Sequence, residues 1–513
     1  MDVSRRGFLV GALATVVAAC TKDEGGAGPT SASTAGATTT STVPIAPPAV
    51  AIAADPFTLG VASGDPLPDA VVLWTRLLGA PADATQVLVE VAPDESFTAG
   101  VVAALHDVDV ERGHAVHADV TGLEPATDYA YRFRIGEWTS PTGRTRTAPA
   151  AGATDPVRLA VASCQRYDHG FYAAHRSIAE ADVDLVVFVG DFVYEAPTTD
   201  APARPLPAGP YADRIAADLD GYRARYEAAL ADVDLAAGRA AHPWAVTWDD
   251  HEVRNNYAGG DPATDDAQQA QAYQAWWEHQ PVRLPAPPAA GAGPYDIDRS
   301  LGFGAILDLV LLDTRQHRSV EACDGGLVDA TCADLAVADR TMLGVDEEAR
   351  VGADVSASTA TWTALANSVV LSRIEALGMV NADAWDGYPA ARSRLLGQLA
   401  AVANPVVLTG DIHVQLVADV TADDGTIVAT ELVTPSISSR SDSRIGPLVS
   451  LLPTVAPDVK FGRDSRGWLR CDVTADSWTA TFLDVADPST ADSAVTEGAA
   501  FVVSAGTPGA VSA

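Results

Sequence analysis

Four short apolar runs of strand-like composition each end in side chains that bind metal ions. VRLAVASC ends at Cys164, and DLVVFVGDFVYE carries Asp191 and Tyr194. AVTWDDHEVRNNY carries Asp249, Asp250 and His251, and PVVLTGDIHV carries Asp411 and His413. Asp191 and Tyr194 are three apart, so one turn past a strand can aim both at a single centre. Asp411 and His413 are two apart and share a face while the backbone stays extended. A thiolate, a phenolate, an imidazole and a carboxylate suit a transition metal, and phenolate with thiolate favours Fe3+. Asp250 and Asp411 add hard oxygens suited to Ca2+, and Asp191 can serve both ions. Two ions about 3.5–4 Å apart can hold a phosphate ester and activate a water against it. In open α/β sheets ligands bind beyond the carboxyl ends of the strands, so four such ends predict one shared metal site.

Taken singly, each residue has a plainer reading. Tyr194 alone reads as a core tyrosine and His413 alone as a satisfied histidine; the GDxxY and GDxH spacings make them ligands. Asp249 reads as an outer partner of the site rather than a ligand. His317, in LDTRQHR, reads as packing or surface. Arg315, Arg318 and Arg440 read as salt-bridge partners for some of the 68 acidic residues rather than as substrate binders.

The elements that must position these residues follow from periodicity. From Val157 onward, apolar runs alternate with helical stretches at Tyr222–Leu235, Gln268–Gln280, Thr359–Leu377 and Ala390–Val402. This predicts an α/β domain over 156–488, a layered β-sheet covered by helices. Residues 56–148 read as short strands separated by turns, a small β-sandwich. Residues 489–513 carry little order-promoting pattern and read as a tail.

The ends and the bulk bound the setting. Ser4-Arg5-Arg6-Gly7-Phe8-Leu9 is a twin-arginine export pattern within residues 1–20. The apolar run Phe8–Ala19 that follows is too short to span a bilayer, which takes about 20 residues. Val17-Ala18-Ala19-Cys20 resembles a lipoprotein box with Cys20 as the acylated residue; ordinary cleavage near Ala51-Ile52-Ala53 is the alternative. Residues 21–55, mostly Gly, Ala, Ser, Thr and Pro, read as a disordered tether. The expected location is therefore the cell surface as a lipoprotein, or the secreted or periplasmic space, with the membrane reached only through a lipid on Cys20. A net charge of −35 disfavours binding along nucleic-acid backbones. In an oxidising compartment Cys323 and Cys332 are expected to form a disulfide, while Cys471 reads as a buried small hydrophobe.

The motifs themselves resemble a known family. GVASGDP (Gly60–Pro66), LWTRL, GLEPATDYAYRF, SPTGRTRTAP, ASCQ, GDFVYE, WDDHEVRNNY, LDTRQHR, WDGYPAAR, LTGDIH and TPSIS appear in family order over about Phe57–Asp484. The chain is similar to the alkaline phosphatase D (PhoD-like) family, within the calcineurin-like and purple-acid-phosphatase-type metallophosphatases. That resemblance implies a fibronectin-like sandwich before a metallophosphatase domain. It also implies hydrolysis of phosphate mono- and diesters by a metal-activated hydroxide or oxide. Carried over by motif, Cys164, Asp191, Tyr194 and His413 would hold Fe3+, and Asp191, Asp250 and Asp411 would serve Ca2+. His251, beside Asp250, would stabilise the transition state or protonate the leaving group. Asn255 or Asn256 would touch phosphate or a second calcium, and the resemblance does not choose between them. Ser368 departs from the glutamine the family pattern leads one to expect. The protein is expected to act as a monomer. Two alternatives stand beside this reading: a phospholipase D-like phosphodiesterase acting on lipid or cell-wall diesters, and a non-catalytic surface binding protein.

Overall fold

The computed structural model describes residues 45–513 apart from 199, 208, 210, 212, 213, 262, 263 and 442–445. The twin-arginine segment, Cys20 and the tether up to residue 44 lie outside the described residues.

Alternation within the central strands decides the architecture. In Val157–Ala162, Leu159 and Val161 point into an apolar layer shared with a second sheet, while Ala160 and Ala162 point into a layer shared with helices. The same division recurs in Leu185–Val189 and Pro243–Thr247, where Val187 and Ala245 face the second sheet and Phe188 and Trp244 face helices. Strands buried on both faces must be largely apolar, and in these runs only Arg158 and Thr247 are polar. The three strands pair in parallel, Leu159 opposite Leu185 and Val186 opposite Trp244. Among the described residues they lie inside a ten-stranded sheet.

The second sheet has seven strands, with Leu307–Leu311, Trp362–Ala366, Pro405–Thr409 and Ile427–Val433 successively parallel. Leu309, Ala364, Val406 and Leu408 meet the first sheet. The helices Gly344–Ala357 and Pro389–Leu399 cover its other face, setting Val351, Val355 and Leu395 on Val310, Leu365 and Val407. The helices Ala173–Glu180, Leu219–Leu230, Val233–Ala241 and Asp266–His279 cover the outer face of the first sheet. The result is an α/β fold of two packed sheets faced with helices. Each Val, Leu or Phe fully buried in these layers stabilises it by about 1.5–3 kcal/mol relative to exposure, so the strand ends are stiffly anchored.

The N-terminal sandwich is joined to this body rather than hung from it. Its strand Val61–Leu67 pairs in parallel with Pro243–Thr247, Ser63 opposite Pro243, so one sandwich sheet continues into the ten-stranded sheet. Gln86–Ala92, Val102–Asp107 and Asp128–Ile135 belong to the facing sheet, and Val71, Leu73, Val89, Phe133 and Ile135 fill the space between. The last residues of the expected tether are ordered against it: Ile52 is buried, and its carbonyl accepts from Trp138 Nε1 at 3.0 Å.

Several expected elements differ. Thr359–Leu377 is not a helix; it contains the strand Trp362–Ala366, every residue of which is buried. A strand covered on both faces shows a continuous apolar run that periodicity cannot distinguish from a buried helix. The helix expected over Tyr222–Leu235 is two helices, Leu219–Leu230 and Val233–Ala241, because Asp232 caps the second by accepting from Asp234 and Leu235 N–H groups. The helix Gly344–Ala357 was not expected. The supposed tail forms the strands Val495–Ser504 and Thr507–Ser512, which extend the ten-stranded sheet beyond Ser477–Val485.

Candidate metal centre

All four sequence motifs deliver their first polar donor at one offset. Cys164, Asp191, Asp249 and Asp411 each lie two residues beyond a strand end, at Ala162, Val189, Thr247 and Thr409. The first three come from one sheet and the fourth from the other, so the site sits where the two sheets open at their carboxyl ends. Close approach there demands the glycine of each GD pair. A Cβ on Gly190 would lie 2.4 Å from Asp249 Cβ, and one on Gly410 would lie 2.7 Å from Ser163 Oγ. The donors themselves are strained: Cys164, Asp191, Asp411 and His413 have φ of 58°, 59°, 63° and 56°. A left-handed backbone costs about 1–3 kcal/mol for a residue with a Cβ and is found where surrounding packing over-determines it.

The donor atoms converge in two overlapping triads. Those of Cys164, Asp191 and His413 all lie within 4.8 Å of one another, as do those of Asp191, Asp250 and His251. Asp191 is common to both. Tyr194 Oη donates to Asp191 Oδ2 at 2.7 Å and lies 3.0 Å from His413 Nε2. The carbonyl of Arg440 lies 2.8 Å from His413 Nδ1, so Nδ1 carries the proton in a neutral ring and Nε2 presents a lone pair inward. Asp411 belongs to neither triad; its Oδ1 is 3.9 Å from Arg315 Nη2, which is 3.7 Å from Asp250 Oδ1.

The electrostatics fit a cation. Asp191 Oδ1, Asp249 Oδ2 and Asp250 Oδ1 are buried without a hydrogen-bond partner. Burial pushes the Asp249, Asp250 and Asp411 carboxyls up, with added repulsion from neighbouring carboxylates. Burial also pushes Asp191 up, but His251 and His413 more than offset it and hold its carboxyl below the usual range. Burial and then Asp191 raise the Cys164 thiol and the Tyr194 phenol, which keep their protons. Burial lowers His251, yet Asp250, Asp191 and Glu195 outweigh it and leave the imidazole protonated well above its ordinary value. A multivalent ion would reverse the upward shifts, deprotonating thiol and phenol and relieving Asp249, Asp250 and Asp411, and would hold Asp191 ionised more firmly still. The residues therefore suit a metal ion.

Comparison with known proteins supplies the family. Residues 159–482 match the PhoD-like phosphatase family, and residues 43–149 match its N-terminal domain. The chain belongs to the PhoD-like phosphatase family. Alkaline phosphatase D of Bacillus subtilis (strain 168) is 36% identical over 475 residues, covering 87% of this chain and 80% of that protein. A solved structure of PhoD shares 34% identity, with a TM-score of 0.83 over 90% of this chain and 93% of its own. The purple acid phosphatase PPD1 of yellow lupin (Lupinus luteus) is 12% identical over 87% of this chain and 73% of its own, with a TM-score of 0.55, a likeness of fold alone. As a member of this family the chain is a phosphoric ester hydrolase.

Around its donors this PhoD-like phosphatase builds supports that motif reading missed. Glu252 accepts three backbone N–H groups: Phe192 at 2.6 Å on Oε1, and Asp249 at 2.9 Å and Asp191 at 3.2 Å on Oε2. One buried carboxylate thus ties together the two loops that deliver Asp191 and Asp250. Glu195 Oε2 lies 2.7 Å from His251 Nδ1 and fixes the ring's orientation, leaving Nε2 to face elsewhere. Ser439 Oγ lies 2.8 Å from Tyr194 Oη. Glu195 and Glu252 stand inside the quoted motifs, directly after Tyr194 and His251, and that adjacency was the available signal.

The remaining expected residues fall as follows. Asp249 accepts from Arg315 Nε rather than facing the triads alone. Asn256 donates its backbone N–H to Asp250 Oδ2, while its side-chain amide donates to Glu321 Oε1 at 2.5 Å. Asn255 is exposed, and its side chain donates to Asn256 Oδ1 at 2.8 Å. Ser368 Oγ donates to the Trp248 carbonyl at 2.6 Å, and its own carbonyl accepts from Gly410 N–H at 3.0 Å, so it links two site loops. Arg315 and Arg318 are bound to Asp383, and Arg440 Nη1 lies 3.8 Å from Asp200. Cys323 and Cys332 are joined by a disulfide, with Cα atoms 6.7 Å apart, and Cys471 is buried. No helix among the described residues is long and apolar enough to cross a membrane.

Proposed function

We propose that this phosphoric ester hydrolase is a metal-dependent phosphatase and phosphodiesterase, active at alkaline pH, with Fe3+ held by Cys164, Asp191, Tyr194 and His413. Ca2+ is served by Asp191, Asp250 and Asp411. The observation that carries the reading is that Asp191 belongs to two donor groups, one with Cys164 and His413 and one with Asp250, so that its carboxylate would serve both ions. Such a pair supplies Lewis-acid charge to a phosphoryl oxygen and activates water for in-line attack. His251, oriented by Glu195, is placed to donate a hydrogen bond to a phosphoryl oxygen or a proton to the departing one. Arg315 Nη2 lies 3.7 Å from Asp250 Oδ1 and 3.9 Å from Asp411 Oδ1, adding positive charge beside both. The twin-arginine pattern supports export in the folded state, to the cell surface through a lipid on Cys20 or into the surrounding space.

The deciding experiment is elemental analysis of the natively exported protein, joined to hydrolysis of a chromogenic monoester and diester. About one iron per chain with calcium, a visible phenolate-to-iron band, and loss of both in Cys164→Ala are expected. A colourless protein that stays inactive after iron and calcium are supplied would sink the proposal. Diester turnover far above monoester turnover would move it toward the phospholipase D-like reading.

A further inference from the structure

Behind Arg315 lies a second group of donors that the proposed centre does not use. Asp313 and His317 stand in the turn after the strand Leu307–Leu311, and Glu347 in the first turn of the helix Gly344–Ala357. One donor atom from each lies within 4.8 Å of the other two. Asp313 and Glu347 are each 1% exposed. Glu347 Oε1 accepts from Asp313 N–H at 2.7 Å, but Oε2, also buried, has no hydrogen-bond partner. Asp313 Oδ1 accepts from Trp248 Nε1, Arg315 N–H and Gln316 N–H at 2.8, 3.0 and 2.9 Å. Its Oδ2 accepts only Gln316 Nε2, at 2.9 Å, and so keeps one lone-pair direction free. His317 is half-buried and lies against Gly344 at the start of the same helix. The neighbouring guanidinium groups are engaged elsewhere, Arg315 with Asp249 and Asp383 and Arg350 with Asp296 and Asp298. Two buried acids thus meet without a cation of their own, and burial with the neighbouring Asp313 pushes the Glu347 carboxyl up.

We infer that Asp313, His317 and Glu347 bind a divalent cation of the Zn2+ or Mn2+ class, separate from the centre at Asp191. Two carboxylates and an imidazole are a borderline donor set suited to such ions. The ion would offset the buried charge and fasten the turn that carries Arg315 to the helix Gly344–Ala357. Its role is structural: Asp313 already orders the Arg315 and Gln316 N–H groups, and the ion would hold Asp313.

The test strips the full-length protein with a chelator and dialyses it to equilibrium against Zn2+ and, separately, Mn2+, counting bound metal by elemental analysis. With either ion or both, the wild type is expected to retain one equivalent more than His317→Ala, which should keep full phosphoesterase activity once iron and calcium are restored. Glu347→Gln is the sharper variant, since it preserves the acceptor for Asp313 N–H and mimics a protonated glutamic acid. If Glu347 is only a neutral buried acid, Glu347→Gln will hold as much metal as the wild type, and the inference falls. Equal metal in the wild type and His317→Ala overturns it as well. Should Glu347→Gln fail to fold, His317→Ala decides alone.

Discussion

Two groups of buried charge sit side by side at the strand ends, and they are built on opposite terms. Around Arg315 and Arg318 the charges answer one another: Arg315 binds Asp249, and both guanidinium groups reach Asp383 Oδ1, at 2.8 and 2.7 Å. Around Asp191 the side chains are nearly all acceptors or protonated acids, and Asp191 Oδ1 and Asp250 Oδ1 have no hydrogen-bond partner. The first group has its opposite charges paired as folded, although Arg315 Nη2 and Asp249 Oδ2 make no hydrogen bond. The second is held together by strained backbone and by Glu252, and becomes complete only with something positive among its oxygens. A buried ion pair stabilises through its own members, whereas a ligand cluster depends on stability generated elsewhere in the fold.

That contrast can be broken most forcefully at Asp191. Asp191→Asn should remove activity well beyond the about 10–100-fold that loss of an outer partner costs a metal site. Its cost to the urea midpoint of the metal-free protein should be small beside that of Arg315→Met, because Asp191 Oδ1 has no hydrogen-bond partner and chiefly His251 and His413 favour its charge. A large drop in the metal-free midpoint would show that the cluster is structural after all. Arg315→Met should destabilise the metal-free protein by about 3–5 kcal/mol, since Asp249 loses its cation and Asp383 one of its two. Chemical denaturation of the variant checks this, and a loss under 1 kcal/mol would count against the pairing. Glu252→Gln sits between the two groups, with an expected fall of about 10–100-fold in kcat/KM and a weaker grip on the proposed iron. The visible band during chelator titration reports that grip, and an unshifted titration would remove Glu252 from its positioning role.

The smallest effect concerns a buried acid outside both groups. Burial pushes Asp386 up to about 6 from 3.8, the N–H of Ile374 offsetting part of the shift. Its native value lies above its unfolded one, so the native state holds the extra proton between them and stability falls as pH rises through that window. The cost is complete above about pH 6, at roughly 3 kcal/mol. Asp386→Asn should flatten this slope, so the difference in urea midpoint between variant and wild type should grow from pH 4 to pH 6. A constant difference across that range would refute it.

Much of the site was legible because its donors follow apolar runs at short, fixed spacing. Cys164, Asp191, Tyr194, Asp250 and His413 could be grouped from chain order alone, and the structure brings them together. What stayed hidden acts across long separations. Glu252 was visible as a letter in WDDHE, but its hold on Asp191 and Phe192 N–H spans about 60 residues and leaves no local pattern. Arg315 reads as a salt-bridge partner and is one, but its partners Asp249 and Asp383 are far off in the chain and nothing local marks it as fully buried. The strand Trp362–Ala366 was misread because burial on both faces erases the alternation that distinguishes strand from helix.

By itself, then, the chain determined which chemistry was available: donor types, their offsets from strand ends, the glycines that permit close approach, and the family those motifs mark. The tertiary structure decided which donors share a centre. It also decided that Asp411 stands outside both triads, that the N-terminal sandwich continues into the catalytic sheet, and that residues 495–512 extend that sheet. The division has a physical cause. Ligand type and strand period are local properties of a sequence. Convergence, burial and charge pairing arise only when segments far apart in the chain are packed against one another.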